Sequence, residues 1–336
     1  MVRTATETII HHALPDSAYD QAGVSTRFGG LGIRKVIEHA PVAFAASYNS
    51  SSKIAHESWL NPNEVKSPAP DQRPASEQVD RATLDRLISQ GSDREKQRLR
   101  RLDCKHANSW ITALPSSTDG RDTIMAPKIF NACVARLLGL SVYSNSFPCP
   151  LCKQTMDTLG DHALCCKKTR DTITRHNRVR NLIFKLAEIG CLRPQMEKLG
   201  LLGPTDSSKR RPGDVSLDLW RYGRGLAIDV AVICPLAPSH LREEEPCELY
   251  AIRQKHARYD SGFVGSRFDF VAMIFETSGA VNKEGMDTMK QIIRFASNRE
   301  CTGNSSFAGR IWARISCSIQ TSVAQAILNR DHNDVI

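Results

Sequence analysis

The sequence predicts an α+β protein: a helical N-terminal half, a short Cys/His segment, then a small mixed β-sheet flanked by helices. Three observations carry this reading. Apolar residues recur at helical spacing on both sides of residues 146–168, a hairpin pattern with one nearly all-apolar strand lies between Asp214 and Val232, and four metal-ligating side chains crowd into the stretch between. At 336 residues the chain accommodates two modest domains, or one domain with helical additions. Lys and Arg outnumber Asp and Glu 45 to 36, a formal charge of +9, and this balance favours a polyanionic partner. Eleven cysteines would suit a disulfide scaffold, yet Met1–Ile10 is polar rather than an apolar leader. The expectation is therefore a soluble, intracellular protein that is not secreted. Apolar stretches such as Ala227–Ala237 are short and broken by Asp229 and Pro235, which speaks against a membrane helix.

Residues 1–60 combine a short amphipathic piece with the run Phe28-Gly29-Gly30-Leu31-Gly32-Ile33-Arg34. No strand clearly precedes that run and no P-loop lysine follows, so it reads as a tight turn leading into a helix rather than a phosphate cradle. Residues 61–74 carry four prolines and read as a linker. A helical segment spans 75–145. Its first part, to about Asp103, carries Arg94, Lys96, Arg98, Arg100 and Arg101, which form either a solvated face or a phosphate-contacting one; its second part, through Ile129, Ala132, Val134 and Leu137, is core.

Within residues 146–168, Cys149, Cys152, His162 and Cys166 follow the spacing C-x2-C-x9-H-x3-C. Two thiolates separated by a two-residue turn can face one ion, and the later His and Cys can close a tetrahedron. Four ligands leave no open position, so the site is structural, and thiolate softness selects Zn2+ over Mg2+. Cys165 is an alternative fourth ligand.

From Arg175 to Gly190, Val179, Leu182, Ile183, Leu186 and Ile189 share one helical face, with Arg175, Arg178, Arg180 and Lys185 off it. Then Lys209-Arg210-Arg211-Pro212-Gly213-Asp214 leads through Trp220 and a turn at Gly223–Gly225 to Leu226-Ala227-Ile228-Asp229-Val230-Ala231-Val232. Asp229 thus falls in the middle of a strand that ought to be buried, and an ionised carboxylate there is costly unless it is paired or binds a cation. A hairpin can bring Asp214 beside it, which is the arrangement a hard divalent ion such as Mg2+ requires. Two structural alternatives stand: Asp214 caps the turn after Pro212, or Asp229 pairs with Arg224 or Arg211. Phe268–Phe275 reads as a further strand. Two helices follow between Asp287 and Arg330, the second with a core stripe at Ile311, Ile315, Ile319, Val323 and Ile327.

Arg211-Pro212-Gly213-Asp214, followed after fourteen intervening residues by Asp229 in Ile228-Asp229-Val230-Ala231-Val232, resembles the PD-(D/E)XK pattern of the restriction-like endonuclease found in non-LTR retrotransposon polyproteins, where a CCHC zinc knuckle lies just upstream. Gly29–Arg34 with Ala40–Phe44, Trp110–Leu114, Gly160–Leu164 and Arg175-His176-Asn177 extend the resemblance over roughly residues 22–300. It implies a post-polymerase segment over 1–60, a zinc knuckle over 146–168, an endonuclease domain over 171–300 and a C-terminal helix over 301–336. It also implies nicking of one DNA strand for retrotransposon integration, in the nucleus, with the element's RNA as a further partner. By the same resemblance Asp214 and Asp229 hold catalytic Mg2+, Glu197 supplies a third carboxylate, and Lys255, in place of the usual lysine at position 231, where Ala stands, stabilises charge on the phosphate. No Asp-Asp pair occurs in the sequence, so the polymerase centre is absent. The alternative is an inactive, zinc-containing nucleic-acid-binding fragment of a decayed element.

Overall fold

The computed structural model of the protein describes residues 1–59, 72–115, 123–204 and 210–330. Helices α1 (Val2–Ile10) and α2 (Asp16–Gly23) lead into the glycine-rich run, which turns at Gly29 (φ 83°) before α3 (Val36–Trp59) begins. Of the expected linker, residues 61–71 lie outside the described residues and Gln72–Pro74 already open α4 (Gln72–Gln90). Ser92 accepts the Glu95 amide as N-cap of α5 (Asp93–Leu102), so the helical stretch to Asp103 is two helices broken at Gly91. Helix α6 (Pro127–Leu137) completes the helical half.

The basic face of α5 meets neither expectation in full. Arg98 and Arg101 are buried: the Arg98 guanidinium takes Glu95 and the oxygen of Gln21, and Arg101 reaches Glu276 at 2.8 Å. Glu276 is fully buried and also accepts from Ser278. A guanidinium fork matches a carboxylate geometrically, which is why arginine rather than lysine can occupy this interior position.

A two-stranded ribbon, β1 (Phe147–Pro148) against β2 (Thr155–Met156), precedes α7 (Asp161–Cys165) and the long α8 (Asp171–Ile189). The main sheet has the order β3 (Pro194–Met196), β4 (Val215–Arg221), β5 (Arg224–Ile233), β6 (Phe268–Glu276). The first two pairings are antiparallel and the last is parallel, a mixed sheet. The β4–β5 turn falls at Tyr222–Gly223, one residue earlier than expected. Both residues have positive φ (48° and 76°), the geometry that matches strand twist in a two-residue hairpin. Gly225 is needed for another reason: a Cβ there would lie 2.3 Å from the Phe268 ring on β6. Between β5 and β6 run α9 (Pro246–Tyr250), a π-helical turn (Ala251–His256) and α10 (Ala257–Tyr259). Helices α11 (Lys283–Arg299) and α12 (Asn304–Leu328) close the fold.

Strand periodicity sorts the sheet into two faces. Leu226, Ile228 and Val230 join Met273 and Phe275 in the principal core with α8, α11 and α12. Alternating with them, Ala227, Ala231 and Ile233 face the side covered by α9, the π-helical turn and α10. The stripe Ile311, Ile315, Ile319, Val323 and Ile327 is buried in the same principal core, which runs from Ile10 to Ile327 and so joins helical half and sheet. Arg175 departs from expectation, being only 2% exposed. It stands four residues before Val179, hence on the buried stripe, and donates to the carbonyl of Leu164 in α7. No helix among the described residues is long and apolar enough to cross a membrane.

The Arg101–Glu276 pair ties α5 to the end of β6. Truncation of one partner leaves a buried charge alone, so Arg101→Ala should lose about 3 to 5 kcal/mol in guanidinium unfolding, whereas the apolar double replacement R101M/E276L should recover most of it.

Candidate metal cluster and carboxylate site

The four-ligand spacing folds into a single cluster. The ribbon turns at Lys153 (φ 65°), and the Gln154 carbonyl accepts from the Cys149 amide at 2.7 Å, which fixes Cys149 and Cys152 on one side. Asp157 accepts from the amides of Leu159, Asp161 and His162 and so sets the start of α7. His162 and Cys166, four residues apart, then project from one turn. The ligand atoms of Cys149, Cys152, His162 and Cys166 all lie within 4.8 Å of one another, and Cys152 Sγ is 3.0 Å from His162 Nε2. Burial alone would raise the Cys149 thiol; the Cys152 and Leu151 amides and His162 outweigh it and bring it down to about 6. A thiolate available near neutral pH is the form that binds metal. This Cys3His set can hold a zinc ion. Of the two candidates for the fourth position, Cys166 lies in the cluster, while Cys165 is hydrogen-bonded to Cys234, just beyond β5.

The second site lies on the other face of the sheet. Asp229 falls between Ala227 and Ala231 in the period-two alternation, so small neighbours leave room above it, and its residue is 7% exposed. Asp214 precedes β4; its Oδ2 accepts the Val230 amide at 2.7 Å, and the two carboxyl groups lie within hydrogen-bonding reach of each other. Neither turns to bulk water, the side chains being 21% and 10% exposed. Neither structural alternative describes the pair: Arg224 goes to Asp269 and Arg211 to Glu197, while Lys255 Nζ stands 2.9 Å from Asp229 Oδ1. Lys255 reaches there from the π-helical turn, a local widening that often marks functional positions.

The electrostatics follow from the crowding. Burial, with the Asp214 charge adding to it, pushes the Asp229 carboxyl up to about 6 despite Lys255. Burial would raise Asp214 as well, but His176, whose Nε2 is 3.2 Å from Asp214 Oδ1, and the Val230 amide hold it below the usual carboxylate range. Lys255 would be lowered by burial; the Asp229 charge more than offsets this and keeps its ammonium above the ordinary lysine range.

Glu197 is placed differently from the other expected residues. Its amide donates to the Asp214 carbonyl at 3.1 Å, but its carboxylate is half exposed and held by Arg180 (3.3 Å) and Arg211 (3.6 Å). The reason is local: Glu197 adopts φ 47° just past the edge strand β3, with its side chain toward Arg180 of α8 and Arg211 before β4. The residue the sequence did not single out as a site residue is His176. Its signals are its place in the run Arg175-His176-Asn177 that extends the resemblance and a position off the buried stripe of α8, one turn before Arg180.

Fold and sites together define a mixed α/β protein with a Cys3His cluster and a buried carboxylate pair capped by a lysine. No protein-family model matches the sequence, and no curated protein matches it.

Cys149→Ser or Cys152→Ser should release one equivalent of zinc from the purified protein, read by a colorimetric chelator, whereas Cys165→Ser should leave the zinc content unchanged. Loss of zinc in the Cys165 variant would contradict the ligand set described.

Proposed function

We propose that this chain is a metal-dependent DNA endonuclease that nicks one strand, of the restriction-like type its sequence resembles in non-LTR retrotransposons, with a zinc knuckle at residues 146–168 and a PD-(D/E)XK-like core in the β3–β6 sheet. The observation that carries the reading is the trio Asp214, Asp229 and Lys255, drawn from three separate elements onto one point of a sheet face. Two carboxyl groups in contact, one of them pushed up by burial and by its neighbour, fit a divalent cation, because a cation offsets both the burial and the mutual repulsion of the two charges. Asp214 and Asp229 would hold Mg2+. When bound, the ion polarises a phosphodiester and lowers the pKa of an attacking water.

The chain's own groups divide the remaining work. Lys255 stands where its ammonium can turn from Asp229 to a phosphate oxygen and stabilise the charge that grows there. His176 orients Asp214 by its contact with Oδ1, leaving Oδ2 fixed by the Val230 amide. Arg210 and Arg211 lie just before Asp214 in the sequence and Arg258 three residues after Lys255; Arg210 donates to the Arg258 carbonyl, and both guanidinium groups lie over the Tyr259 ring. Such cations favour a phosphate backbone without reading its sequence. Nicking would leave the free 3′ end that primes reverse transcription by a separate polymerase. Nuclear location and contact with an element's RNA belong to the same proposal.

Supercoiled plasmid incubated with the protein and Mg2+ or Mn2+ should convert to the nicked form, and should not when metal is omitted. Asp214→Ala and Asp229→Ala should abolish conversion while retaining DNA binding, and Lys255→Ala should slow it by about 100-fold or more. Nicking at the wild-type rate by either aspartate variant would refute the assignment; DNA binding with no nicking by any form of the protein would favour an inactive nucleic-acid-binding fragment.

A further inference from the structure

His256, next to Lys255 on the π-helical turn, has a carboxylate at each ring nitrogen. Asp260 Oδ1 lies 2.8 Å from Nδ1 and Glu284 Oε1 2.7 Å from Nε2. A neutral imidazole has one N–H, so one carboxylate would then face a lone pair; only the imidazolium donates to both. The ring is further fixed edge-on against Phe270 of β6, with centroids 5.4 Å apart.

The partner on the far side matters most. Glu284, in the first turn of α11, also accepts the amide of Ala272 at 3.2 Å, and Ala272 is the register partner of Asp229 across β5 and β6. At the same helix start Glu248 of α9 accepts the Lys283 amide. The segment bearing Lys255 is thus tied through His256 and Glu284 to the strand position beside the carboxylate that Lys255 contacts. Taking the aspartate pair and Lys255 as the cleavage site, we propose that His256 is a positioning residue: its imidazolium clamps the Lys255 turn to α11 and β6 and so sets the ammonium over Asp229.

Among the described residues the charged groups in contact with the ring are Asp260 from its own segment and Glu284 from α11, while β6 presents only Phe270. Burial would lower His256, but Glu284 and Asp260 outweigh it and raise it above its ordinary 6.5. A folded value above the unfolded one means the clamp's stabilisation is complete below about pH 6.5 and is lost as pH rises through the folded value.

Two measurements on the full chain test the clamp. In protein labelled with 15N-histidine, the His256 imidazole should titrate above 6.5 by NMR and fall back toward 6.5 in Glu284→Gln. In plasmid nicking, His256→Gln should lower kcat about tenfold with little change in KM, since small misplacement of a charge-stabilising group is felt in the transition state. Added to Lys255→Ala, it should cause no further loss, because the two act as one unit. An imidazole titrating at or below 6.5, or a His256→Gln effect that persists undiminished without Lys255, overturns the proposal. Should the wild-type protein fail to nick at all, the cleavage reading falls, and the titration still decides whether the clamp exists.

Discussion

Two carboxyl groups within hydrogen-bonding reach, on a sheet face with little water, cannot both carry charge unless a cation is near. Asp214 and Asp229 are held in that condition by the backbone: Asp229 by its register in β5, Asp214 by the Val230 amide that locks Oδ2. Every element around them answers the same electrostatic demand. The π-helical turn delivers Lys255 to Asp229, α8 delivers His176 to Asp214, and Ala227 and Ala231 keep the space above Asp229 free of bulk. An interior that needed only stability would place apolar residues here, since replacing buried ions by apolar groups is neutral or favourable.

The Cys3His cluster stands on the opposite side of the argument, as a device of position. It fixes α7, whose Asp161 is gripped by Arg136 and Arg94 and whose Leu164 carbonyl accepts from the buried Arg175 of α8. Arg175 is the neighbour of His176 in sequence, so the cluster, α7 and the second turn of α8 form a continuous chain of contacts ending at Asp214. A metal that closes the cluster therefore also steadies the helix that orients one of the two aspartates. Arg101 and Glu276 make the corresponding tie on the other flank, joining the helical half to the end of β6.

Much of this was legible in the sequence because it follows from period and spacing. An acid in an apolar strand, a hairpin bringing a second acid to it, and C-x2-C followed by His and Cys are local patterns, and the side chains concerned do come together. The mixed sheet and the stripe on α12 follow from the same periodicities. What was not legible depends on tertiary partners. Arg98, Arg101 and Arg175 read as surface charges because sequence does not reveal Gln21, Glu276 or the Leu164 carbonyl waiting inside. Glu197 has the right residue type near the right place, but a left-handed backbone at its own position gives its carboxylate to two arginines. Lys255 stands 26 residues from Asp229, and its reach depends on a π-helical turn that no periodicity announces.

The most direct measurement is anomalous diffraction from a crystal of the protein soaked in Mn2+. The account predicts a peak coordinated by both Asp214 and Asp229 at about 2 Å, with Lys255 displaced toward an incoming phosphate or water. A map with no peak there, and Lys255 still bonded to Asp229, would contradict it.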